Sequence, residues 1–297
     1  MAVDTEQLRA YIEYFRDLGV YDFYRRGESI ALPEGLATEA VADSGSLVIE
    51  RLEAMGSSLT ERVAAGAVVQ AEVAAVADDG GLESVIGKLT SLSDLAPRPE
   101  VRVGVADRPA ALLAIREEIG DCTRCPLAYA GRRKIVYGDG DAAARLMFVG
   151  EGPGADEDAS GLPFVGKAGQ LLNNMIGAMG LRREQVYIAN IVKCRPPANR
   201  VPEPVEANTC SQFLLRQMDV VQPEVVVALG STAATYLLGA KQSLSSLRGR
   251  WHEVRGAKLL VTYHPAFLLR DPRQKGEAWK DLQIVMAELG LKAPAKG

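Results

Sequence analysis

Hydrophobic periodicity predicts an N-terminal extension with one clear helix. This helix covers residues 4–18 and ends before Gly19, and its apolar face is formed by Leu8, Tyr11, Ile12, Phe15 and Leu18. Residues 27–108 are acidic, weakly periodic and rich in Ala, Val, Gly and Ser, with Pro97-Arg98-Pro99 near their end. That composition predicts short helices and linker. We assign residues 1–108 to an extension whose amphipathic helix docks on another surface, such as a partner protein.

After residue 108, short apolar runs alternate with segments of helical periodicity. Helices are predicted at residues 110–119, 167–180, 203–219 and 231–238. Strands are predicted at Leu146–Val149, Val186–Val192, Val225–Leu229 and Leu259–Thr262. Strands that are apolar on both faces and separated by helices indicate a parallel sheet covered on both sides. The sequence therefore predicts an α/β domain over residues 109–297, with three α/β/α layers around a mostly parallel, four-stranded sheet.

Polar or glycine-rich segments follow all four predicted strands. They are Gly150-Glu-Gly-Pro-Gly154, the segment at Asn190, Gly230-Ser231 and His264-Pro265. Ligands of such sheets bind beyond the carboxyl ends of the strands. We therefore expect these segments to form one site at that edge of the sheet.

Composition restricts the class of protein. Hydrophobic residues make up 47% of the 297-residue chain, which is enough for a globular core. The first residues lack a basic start followed by an apolar run, and no stretch approaches the ~18 apolar residues of a membrane span. These features predict a cytoplasmic protein without membrane contact. Disulfides are not expected there, so the four cysteines become candidate ligands or core residues.

The net charge of −4 is unevenly distributed along the chain. Residues 1–106 hold 9 Lys and Arg against 18 Asp and Glu, a net charge of −9. Residues 107–297 hold 25 against 20, a net charge of +5. The mildly basic part permits a phosphate-binding face without demonstrating one.

The segment from Gly150 to Gly161 is glycine-rich and acidic. It lacks the third glycine of a dinucleotide-binding turn and the Lys-Ser/Thr pair of a phosphate-binding loop. Its carboxylates, Asp156, Glu157 and Asp158, would repel a diphosphate. They suit a site where positive charge develops, as on an oxocarbenium-like sugar. The alternative is an acidic, solvated turn.

The cysteines follow the pattern Cys122-x2-Cys125, then Cys194, then Cys210. Four thiolates are ligands for a tetrahedral zinc ion or for an iron–sulfur cluster. Four unrelated thiols are the alternative that spacing leaves open.

Five ordered blocks between residues 115 and 285 resemble family 4 uracil-DNA glycosylases. They are Cys122-x2-Cys125, Gly150-Glu-Gly-Pro-Gly154 continuing through Gly161-Leu-Pro-Phe-Val-Gly-Lys-Ala-Gly-Gln-Leu-Leu172, Asn190-Ile-Val-Lys-Cys-Arg-Pro-Pro197, Cys210, and His264-Pro-Ala-Phe-Leu-Leu-Arg270. The resemblance implies that the four cysteines hold a [4Fe-4S] cluster, and it favours that cluster over zinc.

The resemblance also implies roles at the base. Phe164 would stack on the extruded uracil, which needs an aromatic face to replace lost stacking. Asn190 would recognise the base edge, because its amide donates to O4 and accepts from N3–H. His264 would donate to O2 as negative charge moves onto the leaving base. The second histidine, His252, is expected to be structural.

Other residues of the motifs receive supporting roles. Glu157 would position the hydrolytic water or screen the sugar cation, or it would crowd C5 of the base and exclude thymine. Some related families place an Asp at the position of Gly152, whose contribution here would be its backbone. Glu151 and Ser231 are expected to bind substrate as well.

Phosphate contacts are expected from Arg132, Arg133, Ser231 and Arg270. In the segment after His264, Leu268 or Leu269 would fill the gap that the extruded base leaves, since proteins that distort DNA insert such apolar wedges. The alternative places both leucines in the core face of the last helix.

The expected activity is monofunctional hydrolysis of uracil from single- or double-stranded DNA, which leaves an abasic site for base excision repair. The segment between Cys194 and Cys210 lacks the Arg-rich, His-containing insertion of relatives that form a covalent adduct, so turnover is expected. The rival hypothesis is a non-catalytic iron–sulfur module that binds nucleic acid and recruits a partner through the N-terminal helix. A monomer is expected in both cases.

Overall fold

A computed structural model describes residues 96–293 of the chain. The amphipathic helix predicted over residues 4–18 lies outside the described residues, and the domain boundary at residue 108 stays a prediction. Residues just before that boundary contact the α/β domain, since Gln222 Nε2 donates to the Val103 carbonyl oxygen at 3.0 Å. No helix within residues 96–293 is long and apolar enough to cross a membrane.

Within residues 96–293 the central sheet has six strands, so the expectation of four was wrong. The strands are β1 (Asp139–Gly140), β2 (Leu146–Gly150), β3 (Tyr187–Asn190), β4 (Val225–Leu229), β5 (Trp251–Val254) and β6 (Ala257–Thr262). Their order is β1-β3-β2-β4-β6-β5. The four inner strands are parallel, as predicted, and the outer two run antiparallel to their neighbours. The two unpredicted strands are the short edges.

Helices cover both faces of this sheet, which confirms the three-layer α/β/α architecture. They are α1 (Arg108–Ile119), α2 (Ala155–Ser160), α3 (Lys167–Ala178), α4 (Pro204–Val221), α5 (Ser231–Leu238), α6 (Leu244–Leu247), α7 (Pro265–Arg270) and α8 (Lys275–Leu289). Helix α4 begins with proline, whose missing N–H costs nothing in a first turn. It ends at Val221 and is capped by Gln222, which adopts a left-handed conformation with φ 50°.

The alternation of side chains along each inner strand creates two cores. In β2, Met147 and Val149 face a core that also contains apolar residues of α1, α4 and α5. Leu146 and Phe148 face the other core, with residues of α3 and α8. Every residue of β2 and β4 is buried, which explains their continuous apolar sequences. Packing on both faces fixes the strands and therefore the loops at their carboxyl ends.

Candidate active site

A cleft of about 640 Å³ lies beyond the carboxyl ends of the four parallel strands. Each strand contributes residues to its lining, including Glu151 after β2, Asn190 at the end of β3, Gly230 after β4 and His264 after β6. The structure therefore brings together the four segments that the sequence predicted to converge. The cleft is concave and mixes apolar with convergent polar groups, as small-molecule and base-binding sites do.

Phe164 lines this cleft from a strained loop between α2 and α3. Its φ of 52° is in the left-handed region, which a bulky residue rarely adopts. Helix α3 approaches the same loop so closely that a Cβ on Gly169 would lie 1.9 Å from the Phe164 carbonyl oxygen. Glycine is therefore required at position 169. Strain that surrounding contacts maintain is characteristic of functional sites.

Two charged side chains hold the Phe164 loop in place. Glu157 Oε1 accepts from the backbone N–H groups of Val165 and Gly166, both at 2.9 Å, and Oε2 accepts from Gly154 N–H at 3.0 Å. Arg183 Nη1 donates to the Phe164 carbonyl oxygen at 3.0 Å. Both oxygens of Glu157 are thus engaged by backbone donors. This side chain supports the loop that carries the aromatic ring.

The three carboxylates of the predicted acidic cluster separate in space. Glu157 lines the cleft, whereas Asp156 is exposed outside its lining. Asp158 is buried and accepts from the Arg133 backbone N–H at 2.9 Å. One carboxylate of the three is therefore placed to face a ligand, while Asp158 fixes the chain before β1.

Asn190 lines the cleft and is buried there, with 1% of the residue exposed. Its Oδ1 atom has no hydrogen-bond partner among the described residues. A Cβ on Gly150 would lie 2.4 Å from this oxygen and 2.6 Å from Phe164 Cζ. Gly150 therefore makes room for the amide and the ring together. A buried, unpaired acceptor costs free energy until a ligand supplies a donor.

His264 stands at the N-terminus of α7 and faces the same space. Its Nδ1 atom accepts from the Ala266 backbone N–H at 3.1 Å, which leaves the proton of the neutral ring on Nε2. Burial, together with the nearby positive charge of Arg270, lowers the pKa of His264 to about 4, against an opposing effect of Glu157. The imidazole is thus a neutral donor at pH 7. Its ring centroid lies 5.7 Å from that of Phe164.

Glu151, Gly152 and Ser231 also line the cleft. Burial raises the pKa of Glu151, and a hydrogen bond with the Thr232 side chain opposes that shift. A Cβ on Gly152 would lie 2.8 Å from Val192 Cγ2, so a side chain at position 152 requires Val192 to move. Gly152 therefore contributes backbone to the wall of the cleft.

The four cysteines line one small cavity that shares no lining residue with the cleft. All are free thiols; Cys194 and Cys210 are buried, and Cys122 and Cys125 are half-buried. Burial raises the pKa of Cys125, of Cys194 and, to about 12, of Cys210. In the described part of the chain, no three His, Cys, Asp or Glu side chains already form a metal-binding group.

The chemistry around the thiols fits an anionic sulfur centre. Lys193 N–H donates to Cys210 Sγ at 3.3 Å, and Arg132 Nη1 donates to Cys194 Sγ at 3.2 Å. Four sulfur donors on one cavity are a complete ligand set for a metal centre. Donors directed at ligating sulfurs are a usual means of stabilising such a centre.

Comparison with known proteins identifies the family. A family model for the uracil DNA glycosylase superfamily matches residues 137–283. A type-4 uracil-DNA glycosylase from Thermotoga maritima is 47% identical over 161 residues, which are 53% of this chain and 82% of the relative. Type-4 enzymes from Archaeoglobus fulgidus and Pyrobaculum aerophilum are 40% and 41% identical over 188 and 181 residues, covering 61% and 58% of this chain and 94% and 92% of those relatives. The chain belongs to the family 4 (type 4) uracil-DNA glycosylases.

The structure of this uracil-DNA glycosylase changes two of the expected DNA contacts. Arg132 lies beside the cysteines with a side chain 7% exposed, and it donates to the Cys122 carbonyl oxygen and pairs with Asp121. It is thus not available to a phosphate, contrary to the expectation. Leu268 is 1% exposed and belongs to the core, so in this structure it is not accessible to act as the wedge.

Three other expected DNA contacts remain accessible in this uracil-DNA glycosylase. Arg270 lines the cleft, and Leu269 is 43% exposed immediately before it. Arg133 is exposed, but it lines a separate groove together with Lys134 and Ser160. His252, which was expected to be structural, lies with its Nε2 atom 2.9 Å from the Leu247 carbonyl oxygen.

Several cleft and support residues were not found from the sequence. The cleft is also lined by Asn199, Arg200, Thr232 and Phe267. Arg183 and Lys193 donate to the backbone carbonyl oxygens of two cleft residues, Phe164 and Asn190 respectively. Asn199 has φ 53°, and its Oδ1 atom accepts from Arg195 Nε at 2.8 Å. The sequence signal for Asn199 was its position two residues after the motif that ends at Pro197. Arg183 offered no local signal, because it lies outside every motif.

Proposed function

We propose that this uracil-DNA glycosylase extrudes uracil from DNA, hydrolyses its N-glycosidic bond with water and leaves an abasic site. The single observation that carries this proposal is the buried Asn190 Oδ1 atom, which has no partner among the described residues and, like the Phe164 ring, borders the space above Gly150. An acceptor in that position requires a donor on the ligand. Uracil provides one at N3–H.

Base selection follows from the Asn190 amide. With Oδ1 accepting from N3–H, the amide nitrogen is left to donate to O4 of the same edge. Cytosine presents an acceptor at N3 and a donor at its exocyclic amine, so both hydrogen bonds would be lost. Each unpaired buried group costs about 1–3 kcal/mol. This cost supports rejection of cytosine without any steric barrier, while Phe164 supplies the stacking surface.

Departure of the base is assisted by His264. Bond cleavage moves negative charge onto uracil O2, and the neutral imidazole donates from Nε2 toward it. The positive charge of Arg270 also favours an anion at this position. A neutral donor avoids the cost of burying a second cation, which is consistent with the lowered pKa of His264.

Capture of the sugar by water requires a group that positions the nucleophile. The two roles proposed for Glu157 are positioning this water, with screening of the sugar cation, and excluding the methyl group of thymine. Its three backbone hydrogen bonds support a third role, in which Glu157 maintains the Phe164 loop. These roles make different demands on the carboxylate charge, and substitution distinguishes them.

The cofactor proposed for this chain is a [4Fe-4S] cluster held by Cys122, Cys125, Cys194 and Cys210. The cluster would supply a covalent cross-link between distant parts of the chain rather than chemistry at the sugar. The support is the convergence of all four thiols on one cavity and the N–H donors directed at their sulfurs. Arg132, which approaches Cys194 and Cys122, belongs to this support.

DNA contacts are proposed for Leu269, Arg270, Ser231 and Arg133. Leu269 is the accessible leucine of the proposed wedge, and Arg270 would hold a neighbouring phosphate at the edge of the cleft. Unstacking a base costs a few kcal/mol, which inserted apolar groups and phosphate contacts offset. The cytoplasmic location, the monomeric state and a protein partner for the N-terminal helix stay predictions.

Strand scission at abasic sites tests the proposal. The protein is incubated with an end-labelled oligonucleotide that contains one uracil, then heated in alkali. Scission at the uracil position is expected, with none for the matched oligonucleotide that carries cytosine. An Asn190→Asp variant should excise uracil more slowly and admit some cytosine, because a carboxyl group changes the edge pattern. Binding without scission would support the non-catalytic module instead.

A further inference from the structure

A three-layer stack stands beside the cleft. The Arg248 guanidinium lies over the Tyr263 ring, with its Cζ atom 4.2 Å from the ring centroid. The Tyr263 and Phe267 rings are stacked, with centroids 5.1 Å apart and planes 18° from parallel. Phe267 also lines the cleft, whereas Arg248 and Tyr263 do not. The stack therefore presents its Phe267 end to the space that the substrate is proposed to occupy.

The far end of this stack is anchored in the protein. Arg248 Nε donates to Asp281 Oδ2 at 2.8 Å, and the same oxygen accepts from Thr262 Oγ1 at 2.7 Å. Asp281 is buried at 2% exposure, and the Arg248 side chain is 11% exposed. The arginine is thus fixed before any ligand arrives. A ring stacked on a fixed partner loses little conformational freedom when it binds a further ring.

Phe267 is better suited to the nucleotide next to uracil than to uracil itself. The proposed uracil position already has a ring, Phe164, which borders the same space as the unpaired Asn190 Oδ1 atom. Phe267 lies one helical turn before Arg270 in α7, and both line the cleft. An aromatic ring paired with an arginine at this spacing suits one nucleotide, with its base on the ring and its phosphate on the guanidinium.

We propose that Phe267, supported by Tyr263 and Arg248, is a stacking platform for the unpaired base next to uracil, while Arg270 holds the phosphate between the two nucleotides. The inference rests on the proposed function and adds a second base-binding site to it. Its ligand is any nucleobase, since each base has a π face and stacking requires no specific edge. The site acts on single-stranded DNA, where the neighbouring base has no pairing partner and is free to stack on the ring.

A coupling experiment tests the platform. Affinity is measured for single-stranded oligonucleotides that contain 2′-fluoro-deoxyuridine, in which the fluorine slows bond cleavage. In two further oligonucleotides the base on one side or the other of the uracil is replaced by an abasic analogue. Wild type is expected to lose about tenfold in affinity when one of the two bases is removed, a typical effect of one base–aromatic stack. Phe267→Leu should bind the intact strand about tenfold more weakly and lose nothing further on base removal.

Two control variants separate loss of the stacking platform from a nonspecific effect of substitution on the protein. Tyr129→Leu alters a 77% exposed aromatic residue outside the cleft lining, and it should show the same loss on base removal as wild type. Phe267→Trp retains a ring and should keep the coupling. The platform is overturned if wild type is indifferent to both flanking bases, or if Phe267→Leu loses the same factor as wild type. Failure of the alkali assay on wild type would instead reject the proposed function, because the coupling is measured by binding alone.

Discussion

The Lys193 ammonium lies 3.0 Å from the backbone carbonyl oxygen of Asn190, the residue whose side chain faces the proposed uracil site. Lys193 is 1% exposed, and its Nζ atom also donates to Gln217 Oε1 at 2.6 Å. Gln217 Nε2 donates in turn to the Tyr137 carbonyl oxygen and lies 3.1 Å from the Tyr187 hydroxyl. Burial lowers the pKa of Lys193 to about 8, an effect that Cys210 opposes. A buried polar network thus fixes the end of β3 between the cleft and the cysteines.

Lys193→Met should weaken base recognition as well as stability. The variant leaves the Asn190 carbonyl oxygen and Gln217 Oε1 unpaired, at about 1–3 kcal/mol each, so the free energy of unfolding in urea should fall by a few kcal/mol. A displaced Asn190 should raise KM for uracil-containing DNA more than it lowers kcat. Lys280→Met, at a side chain 70% exposed, is the matched control. An unchanged KM in a destabilised variant would show that Lys193 serves the fold alone.

His264→Ala should slow the chemical step by about 10²–10³-fold, the usual effect of losing one donor to a developing anion. Because the pKa of His264 is lowered to about 4, the ring stays neutral above that pH. The single-turnover rate of wild type should therefore show no His264 titration between pH 8 and pH 5. The unfolded chain binds a proton at His264 near pH 6.5, so stability should decline from there toward pH 4. A single-turnover rate in His264→Ala equal to that of wild type contradicts the assigned role.

Glu157→Gln should loosen the Phe164 loop. The substitution replaces one carboxylate oxygen by an NH₂ group, which faces backbone N–H donors rather than acceptors. If Glu157 supports the loop, the Glu157→Gln variant should have a lower melting temperature and bind uracil-containing DNA more weakly than wild type. A water-positioning role predicts normal binding with a slower single-turnover rate, and a steric gate predicts new activity on thymine. Glu288→Gln, a surface substitution outside the cleft lining, controls for charge.

Protein purified without oxygen should be brown and contain about four irons per chain, the content of one cysteine-held cubane. The visible absorption spectrum and iron analysis measure this directly. A colourless protein with one zinc ion would contradict it.

Cys210→Ala should lower the melting temperature while leaving the preference for uracil over cytosine unchanged. The reason is that the cluster would join the segment of Cys122 and Cys125 to residues 194–210, away from the base. Equal iron content in Cys210→Ala would remove this cysteine from the ligand set.

Leu269→Ala should impair excision from duplex DNA much more than from single strands, where little stacking has to be broken. The comparison is the ratio of single-turnover rates on the two substrates, with Leu113→Ala, an exposed leucine of α1, as control. Leu268→Ala should behave differently and destabilise the fold by about 2–5 kcal/mol, as cavity-forming core substitutions do. Equal losses on both strand forms in Leu269→Ala would reject the wedge.

Sequence reasoning succeeded where one local pattern has one structural outcome. The four inner strands were predictable because burial on both faces demands continuous apolar runs such as Val225–Leu229. Their connectivity then determined the edge at which His264 and Asn190 meet. The two edge strands were missed because Asp139–Gly140 has only two residues and Trp251–Val254 is mostly half-exposed. Such segments carry no distinct periodicity.

Tertiary contacts explain the residues that sequence reasoning misplaced. Arg132 was expected at DNA, yet it folds back on Cys194, 62 residues along the chain, and nothing near position 132 signals that contact. Leu268 and Leu269 are adjacent and identical in type, and only the docking of α7 decides which of them is buried. Phe164 was identified by its motif, whereas its left-handed backbone and its support by Gly169 and Arg183 arise from packing.

The two short strands at the sheet edges also bear on aggregation. An open edge offers unpaired N–H and C=O groups to a strand of another molecule. Here the four parallel strands are enclosed by antiparallel strands of two and four residues, so each edge offers little backbone for such pairing. In β1 the strand ends at Gly140, where a Cβ would lie 1.9 Å from the Val186 carbonyl oxygen, which restricts that position to glycine. The two edge strands that the sequence did not predict, β1 and β5, thus protect the sheet from growing by strand addition.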